Sequence, residues 1–435
     1  MPDGRVRRAF VGRGEDMHQF MRRIPRILVV LACGSFAGAA TPPDAQPRRF
    51  EEEGAVSRFA AVLDAVKASP ATILVGAERW EKLVEEHRGA IESATTHAEF
   101  AQRVNALFGA TGQSHFAYDT DEEFAYWHLL SAFYRTPDTL VEHIGLFPEQ
   151  IEGRWFIRGI LEGSPAESLD LREGDELVSV GDRPFSPIRA FAGLAGQRVP
   201  LVVRRTPDAQ HTVTVTPVKE SLADAVDRAM KASVAYLPHR EGMFAYAHLW
   251  MMLGDGGEYQ ALLAMQDRVD GVILDLRDGV GGTPAHGRQF LLGKDERAAQ
   301  KEGGAAGGDV ERARSGRPLR TWVKPVVILI ADGTRSAKEL LIHDARKQGR
   351  AVLVGTPTPG HVTAVGGMPR VGADAVLILP GFRFDLEGKP TPPDVHVERD
   401  LRYAAGRDPQ LDRAAEVLAE LVREAKKQQA AAPSN

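Results

Sequence analysis

The chain has a single cysteine in 435 residues, Cys33, so no intramolecular disulfide is available to it and thiol chemistry is confined to that one position. Long apolar runs are missing too. Beyond the first forty residues, no stretch approaches the roughly 20 residues that a membrane-spanning helix needs. Neither sign of charge dominates: 54 lysines and arginines stand against 59 aspartates and glutamates, a net −5. Nucleic-acid binding therefore has no global basic field to support it. No His/Asp/Glu spacing of the HExxH kind occurs, so no metal site and no cofactor is expected. A hydrophobic content of 43% and a charged content of 26% are ordinary for a folded chain. The length exceeds what one domain usually holds.

Residues 1–40 read as a signal or targeting segment. In Met21 to Ala40, Arg22, Arg23 and Arg26 make a basic start, Ile27 to Ala32 is apolar, and Ala37-Gly38-Ala39 offers a small-residue cleavage site. This predicts export to the periplasm or cell envelope. Val30-Leu31-Ala32-Cys33 also has the form of a weak lipoprotein signal, which would put a lipid anchor on Cys33. The competing reading is an uncleaved tail.

Residues 41–140 read as a helical N-terminal region. Val56, Phe59, Ala60, Val62, Leu63 and Val66 recur at helical spacing, as do Phe100, Val104, Leu107 and Phe108. Thr111-Gly112-Gln113-Ser114-His115 interrupts the pattern, and a lone histidine in such a turn is more often structural than catalytic. Residues 141–220 change to short strands: Trp155 to Leu161, 199–205 and 211–217, with Glu173-Gly174-Asp175 between them. From 221 to 430 strands and helices alternate, which argues an α/β domain with helices on a central sheet. A Gly- and charge-rich run at 294–318 reads as a flexible insertion.

The chemistry is expected around Ser336. Pro325 to Ile330 reads as a buried strand that ends at Asp332-Gly333, and Ser336 opens a helical pattern. Ala337, Leu340, Leu341, Asp344 and Ala345 fall on one helical face. A serine at such a turn lies beside unpaired helix N–H groups and the positive end of the helix dipole, which could stabilise an oxyanion. The plainer reading is that Ser336 only caps the helix.

Taken in order, these pieces resemble a known family. The strand Ile273 to Arg277 with Gly281-Gly282, then Gly-Thr-Arg-Ser-Ala-Lys-Glu around Ser336, then Gly355-Thr356-Pro357-Thr358-Pro359-Gly360 and a late Pro393-Asp394 are similar to the serine peptidases that include tail-specific (C-terminal-processing) proteases and the tricorn protease. Residues 141–220 resemble a PDZ domain, with Gly145-Leu146-Phe147 where a terminal carboxylate would bind. The resemblance implies a ClpP/crotonase-like α/β peptidase core behind the helical region and the PDZ-like module. It implies Ser336 as nucleophile, His115 as base, Glu387 as the carboxylate orienting it and Ser114 assisting, with backbone N–H groups of Gly281, Gly282 and Ala337 as oxyanion donors. Processing proteases carry a lysine where this chain has Gly360-His361-Val362, so His361 stands as the alternative base. Implied partners are peptides or unfolded proteins, C-terminal tails among them. Two other functions stay open: an inactive relative that binds peptides through the PDZ-like groove, and a hydrolase of a non-peptide acyl substrate such as an ester.

Overall fold

The computed structural model describes residues 47–134, 136–293 and 320–431. The expected targeting segment with Cys33 and the expected insertion at 294–318 lie outside the described residues.

The core is built on one sheet of six strands. Their order is Ala235–His239, Gly242–His248, Gly271–Asp275, Val326–Ile330, Val352–Gly355 and Val395–His396. The first pair is antiparallel and the remaining pairings are parallel. Gly271–Asp275 and Val326–Ile330 are buried at every position. That is why they read as continuous apolar runs, since a parallel strand covered on both faces has no polar side to present. One face carries the helices Gly257–Met265, Ala285–Leu292 and Ala337–Lys347, packed through Leu262, Phe290, Leu341 and Ile342 against Leu274 and Ile328. The other face is covered by the long helix Pro409–Ala431, whose Ala414, Val417, Leu418 and Val422 meet Ile273, Val327 and Val354.

Arg277 closes the same face. Its guanidinium lies 2.6 Å from Asp275 and 2.7 Å from Asp408, and Gln410 Oε1 accepts from it at 3.0 Å. The Asp275–Arg277 pair is thus structural. Asp394 has a similar role, accepting the Leu353 N–H at 2.9 Å and pairing with Arg346 at 2.9 Å.

Residues 146–215 form a separate antiparallel sheet in the order Leu146–Ile151, Arg154–Ile160, Glu176–Val180, Val199–Thr206, Ala209–Val215. Leu146–Ile151 is its edge. Four N-terminal helices, Phe50–Lys67, Ala71–Val75, Ala77–Glu92 and His97–Ala110, pack together around Phe59, Phe100, Val104 and Phe108. They rest on a small sheet in which Ala117–Thr120 pairs antiparallel with Ala375–Phe382. The register sets Ala117 opposite Ile378 and Thr120 opposite Ala375. That pairing carries the turn Gln113–His115 to the segment that follows Phe382.

Candidate active site

The loops that leave the carboxyl ends of the parallel strands gather at one edge, where ligands bind in open α/β sheets. Strand Gly242–His248 leads to Trp250, strand Gly271–Asp275 to Gly279–Gly282, strand Val326–Ile330 to Ser336, and strand Val352–Gly355 to His361.

Ser336 precedes the helix Ala337–Lys347 with φ 60° and ψ −127°. A side chain in this conformation is strained by about 1–3 kcal/mol, and such strain persists only where the surroundings impose it. Here the Ser336 N–H donates to the His361 carbonyl at 2.7 Å, while the Ser336 carbonyl accepts the Glu339 N–H at 3.0 Å. The hydroxyl makes no capping hydrogen bond. Helix capping therefore does not explain this serine, and its Oγ is left available to a substrate.

The glycine loop lies directly against it. A Cβ on Gly281 would stand 2.6 Å from Ser336 Cβ and 3.1 Å from the Ala337 nitrogen, so only glycine fits. Gly279 and Gly282 press on the backbone of Trp250 and Met252 with the same lack of room. The loop is held by Val280 N–H to the Trp250 carbonyl, Met252 N–H to the Gly281 carbonyl and Thr283 N–H to the Met252 carbonyl, each at 2.8 Å. No hydrogen bond from the N–H of Gly281, Gly282 or Ala337 is found among the described residues.

The second half of the site comes from the N-terminal region and the segment after Phe382. Glu387 accepts the Ser114 N–H at 3.2 Å through one carboxylate oxygen and the Val362 N–H at 2.7 Å through the other. Ser114 Oγ lies 3.1 Å from His115 Nδ1 and accepts the Thr363 N–H at 3.4 Å. One carboxylate thus clasps the turn bearing His115 to the loop whose His361 carbonyl holds Ser336. Burial by itself would raise the Glu387 pKa. The hydrogen bonds from Ser114, Thr363 and Val362 outweigh it and keep the carboxyl below its ordinary value.

His115 also has a positive φ, 54°. Burial pushes its imidazole down to about 4, against the upward pull of Glu387 and with smaller downward pushes from Arg335 and His361. It is therefore neutral at physiological pH, as a general base must be. His361 is exposed, and burial of part of its ring, with Arg335 nearby, also lowers its pKa. Among the described residues no hydrogen bond joins Ser336 Oγ to either imidazole; such bonds often tighten only around a substrate.

Gly145 has φ 86°, and a Cβ there would meet Ser164 Oγ at 2.4 Å. Its N–H donates to His143 Nδ1 at 3.0 Å and is therefore engaged within the chain. Leu146 is buried and starts the edge strand, while the Phe147 ring packs on Phe124 and Trp250 at 4.7 and 5.2 Å.

Two site residues escaped the sequence reading. Lys338 and Glu339 are buried in the first turn of the helix that follows Ser336, whereas the expected apolar stripe runs through Leu340 and Asp344. Glu339 accepts from Thr358 Oγ1 and from the Gly360 N–H at 2.8 Å, fixing the loop that precedes His361. The signal is the Ser-Ala-Lys-Glu spacing itself, which places Glu339 three residues after Ser336 in the helix's first turn. The described residues include no group of three or more His, Cys, Asp or Glu side chains placed to hold a metal ion.

Residues 244–390 match the model described as Peptidase family S41. A putative tricorn protease homolog 2 of Streptomyces coelicolor is 25% identical over 380 residues, 79% of this chain and 30% of that protein. The chloroplastic carboxyl-terminal-processing peptidase 3 of Arabidopsis thaliana is 26% identical over 246 residues, 51% of this chain and 46% of that protein. The crystal structure of the tricorn protease aligns with TM-score 0.47 and 15% identity, over 86% of this chain and 37% of that chain. The chain spans 30% and 32% of the length of two tricorn homologues it matches.

Proposed function

We propose, from a chain whose residues 244–390 belong to peptidase family S41, that this protein is a serine peptidase acting through an acyl-enzyme on Ser336. Ser336 Oγ attacks the substrate carbonyl as His115 takes its proton. The tetrahedral oxyanion is met by the N–H groups of Gly281, Gly282 and Ala337, beside the N-terminus of the helix Ala337–Lys347. His115 then protonates the leaving amine. Water, activated by the same imidazole, hydrolyses the ester and frees the serine. Glu387 orients the Ser114–His115 turn and stabilises the imidazolium, with Ser114 holding Nδ1. The observation that carries this reading is the backbone of Ser336. A strained serine with an uncapped hydroxyl, set against a glycine loop at a strand-to-helix turn, has no structural purpose of its own.

Peptides and protein tails are the substrates this reading favours. The edge strand Leu146–Ile151 is placed to receive an extended chain end by strand addition in the manner of a PDZ domain. Residues 1–40 would direct the protein to the periplasm or cell envelope, with Cys33 as a second, lipid-anchored route. An inactive peptide-binding relative and a hydrolase of other acyl groups are the readings that the same experiment separates.

The test is labelling by a fluorophosphonate probe with the adduct located by mass spectrometry, on the wild type beside Ser336→Ala, His115→Ala and His361→Ala. An adduct on Ser336 that is lost in His115→Ala and kept in His361→Ala is expected. Loss only in His361→Ala would transfer the base to that residue. A folded wild type that takes no label would leave the peptide-binding reading. Turnover of matched peptide and ester substrates then separates a peptidase from another acyl hydrolase.

A further inference from the structure

Lys338 is a lysine with no exposed surface, two residues after the nucleophile. Its Nζ donates to two backbone carbonyls, those of Asp278 and of Trp250, the latter at 3.3 Å, and no carboxylate among the described residues accepts from it. An ammonium group buried this way is expensive unless it serves a purpose. Its two acceptors bracket the glycine loop. Asp278 immediately precedes Gly279, and the Trp250 carbonyl is the one that also accepts the Val280 N–H at 2.8 Å.

We propose that Lys338 is a positioning residue for the Ser336 reaction: its ammonium ties the first turn of the nucleophile's helix to the Asp278 and Trp250 carbonyls and so sets the Gly281 and Gly282 N–H groups against the oxyanion. This rests on Ser336 being the nucleophile. One side chain then keeps the two sources of oxyanion donors, the glycine loop and the helix start at Ala337, in register. The two are so close that a Cβ on Gly281 would lie 3.1 Å from the Ala337 nitrogen, and a misplacement of about 1 Å at such a site costs about a hundredfold in rate.

The tie is charge-dependent. A neutral amine still has two N–H donors, but it loses the charge assistance that strengthens bonds to carbonyls. Burial lowers the Lys338 pKa from its ordinary range to about 7; Asp278 and Asp275 pull it up, and Arg335 and Arg158 push it down. His128, from the helix Phe124–Phe133, also faces Lys338; burial, chiefly, brings its imidazole to about 4 and leaves it neutral throughout. His248 stacks on Trp250 at 3.8 Å. Burial depresses it, yet Asp275 and Glu162 carry its pKa above the ordinary value, so it is a second candidate for titration near the loop. Activity should therefore rise as His115 loses its proton near pH 4 and fall as Lys338 loses its own near pH 7. The alkaline fall is not unfolding. A lysine whose folded pKa lies below its unfolded one makes folding more favourable as pH rises between the two values.

The experiment measures kcat and KM on a peptide amide and fluorophosphonate labelling from pH 4 to 9, for the wild type, Lys338→Met and His248→Gln. It also follows the Nζ resonances of the 15N-lysine-labelled wild type, with Lys338 assigned by comparison with Lys338→Arg. The expected result is an alkaline limb in the wild type that coincides with the Lys338 titration and persists in His248→Gln. Lys338→Met should lose about ten- to a hundredfold in kcat with KM changed less than about threefold, and should show no alkaline limb. Wild-type kcat in Lys338→Met, or a limb that moves with His248 and not with Lys338, overturns the proposal while Ser336 labelling stands. A wild type unlabelled at every pH overturns the nucleophile assignment and this inference with it. Should Lys338→Met fail to fold, the match or mismatch of the two wild-type titrations decides.

Discussion

Ser336 and His115 are two of the five non-glycine residues that take a positive φ among the described residues. The strain at Ser336 gives a test that is independent of any substrate. Glycine tolerates φ 60°, ψ −127° without cost, whereas alanine keeps the strained Cβ. Glycine also loses more chain entropy on folding, by about 0.5–1 kcal/mol, which offsets part of the relief. Ser336→Gly should therefore be more stable than Ser336→Ala by about 1 kcal/mol, read as a higher urea midpoint at equal slope, with both variants unlabelled. Equal midpoints would mean that the turn stores no strain. Thr358 and Glu339 support the same turn from beneath, since Glu339 holds the Gly360 N–H and the Ser336 N–H returns to the next residue's carbonyl.

At the level of elements, the placement of His115 depends on the strand Ala117–Thr120, and that strand depends on a buried polar knot. Arg58, from the helix Phe50–Lys67, is fully buried. It donates to Tyr118 at 2.8 Å, to Asp374 at 2.9 Å and to Glu53 at 2.8 Å. Asp374 also accepts the Phe50 N–H at 2.8 Å, and Tyr118 bonds His97 at 2.9 Å. The knot spans a helix, the strand Ala117–Thr120, the turn just before Ala375–Phe382 and the helix His97–Ala110, next to the turn that carries Ser114 and His115. Arg58→Ala would leave the buried Asp374 with only the Phe50 N–H and the longer contacts to Arg49 at 3.9 Å and His97 at 3.7 Å, a loss of about 3 kcal/mol. Denaturation in urea should show it, and Ser336 labelling should fall in step as the His115 turn loosens. A shift below about 1 kcal/mol would mean that the knot is not what anchors the strand.

Across the whole molecule, Arg158 is among the side chains that join the antiparallel sheet to the α/β core. Arg158, on the strand Arg154–Ile160, pairs with Asp278 beside the glycine loop, with Asp332 at 2.7 Å beside the Ser336 turn, and with Glu149 at 3.0 Å on its own sheet's edge strand. Around it, Gly159 leaves room for the Trp250 ring, and Phe147 packs against that ring at 5.2 Å. The carboxylate of Asp278 is buried, and Arg158 is the cation that neutralises it. Arg158→Ala should cost about 3 kcal/mol of stability and slow labelling of Ser336, whereas Arg158→Lys should recover the stability only in part, because an ammonium cannot reproduce the fork that reaches three carboxylates. Unchanged labelling in Arg158→Ala would show that the two sheets act independently.

The sequence by itself determined the buried central strands Gly271–Asp275 and Val326–Ile330, the helices of the N-terminal region and the order of the motifs. Buried parallel strands are continuous apolar runs, amphipathic helices repeat every three to four residues, and both patterns are local. It also pointed to Ser336, because a strand, a turn and a helix start lie within a dozen residues. Only the tertiary structure decided what stands around that serine. Ser114 and Glu387 are 273 positions apart and meet through the pairing of Ala117–Thr120 with Ala375–Phe382. No periodicity encodes a hydrogen bond across that distance. The same holds for Lys338, a residue type that is seldom fully buried. Its burial follows from two carbonyls supplied by loops about 60 and 90 residues earlier, and a polar side chain goes inside a protein only where distant parts of the chain have folded to receive it.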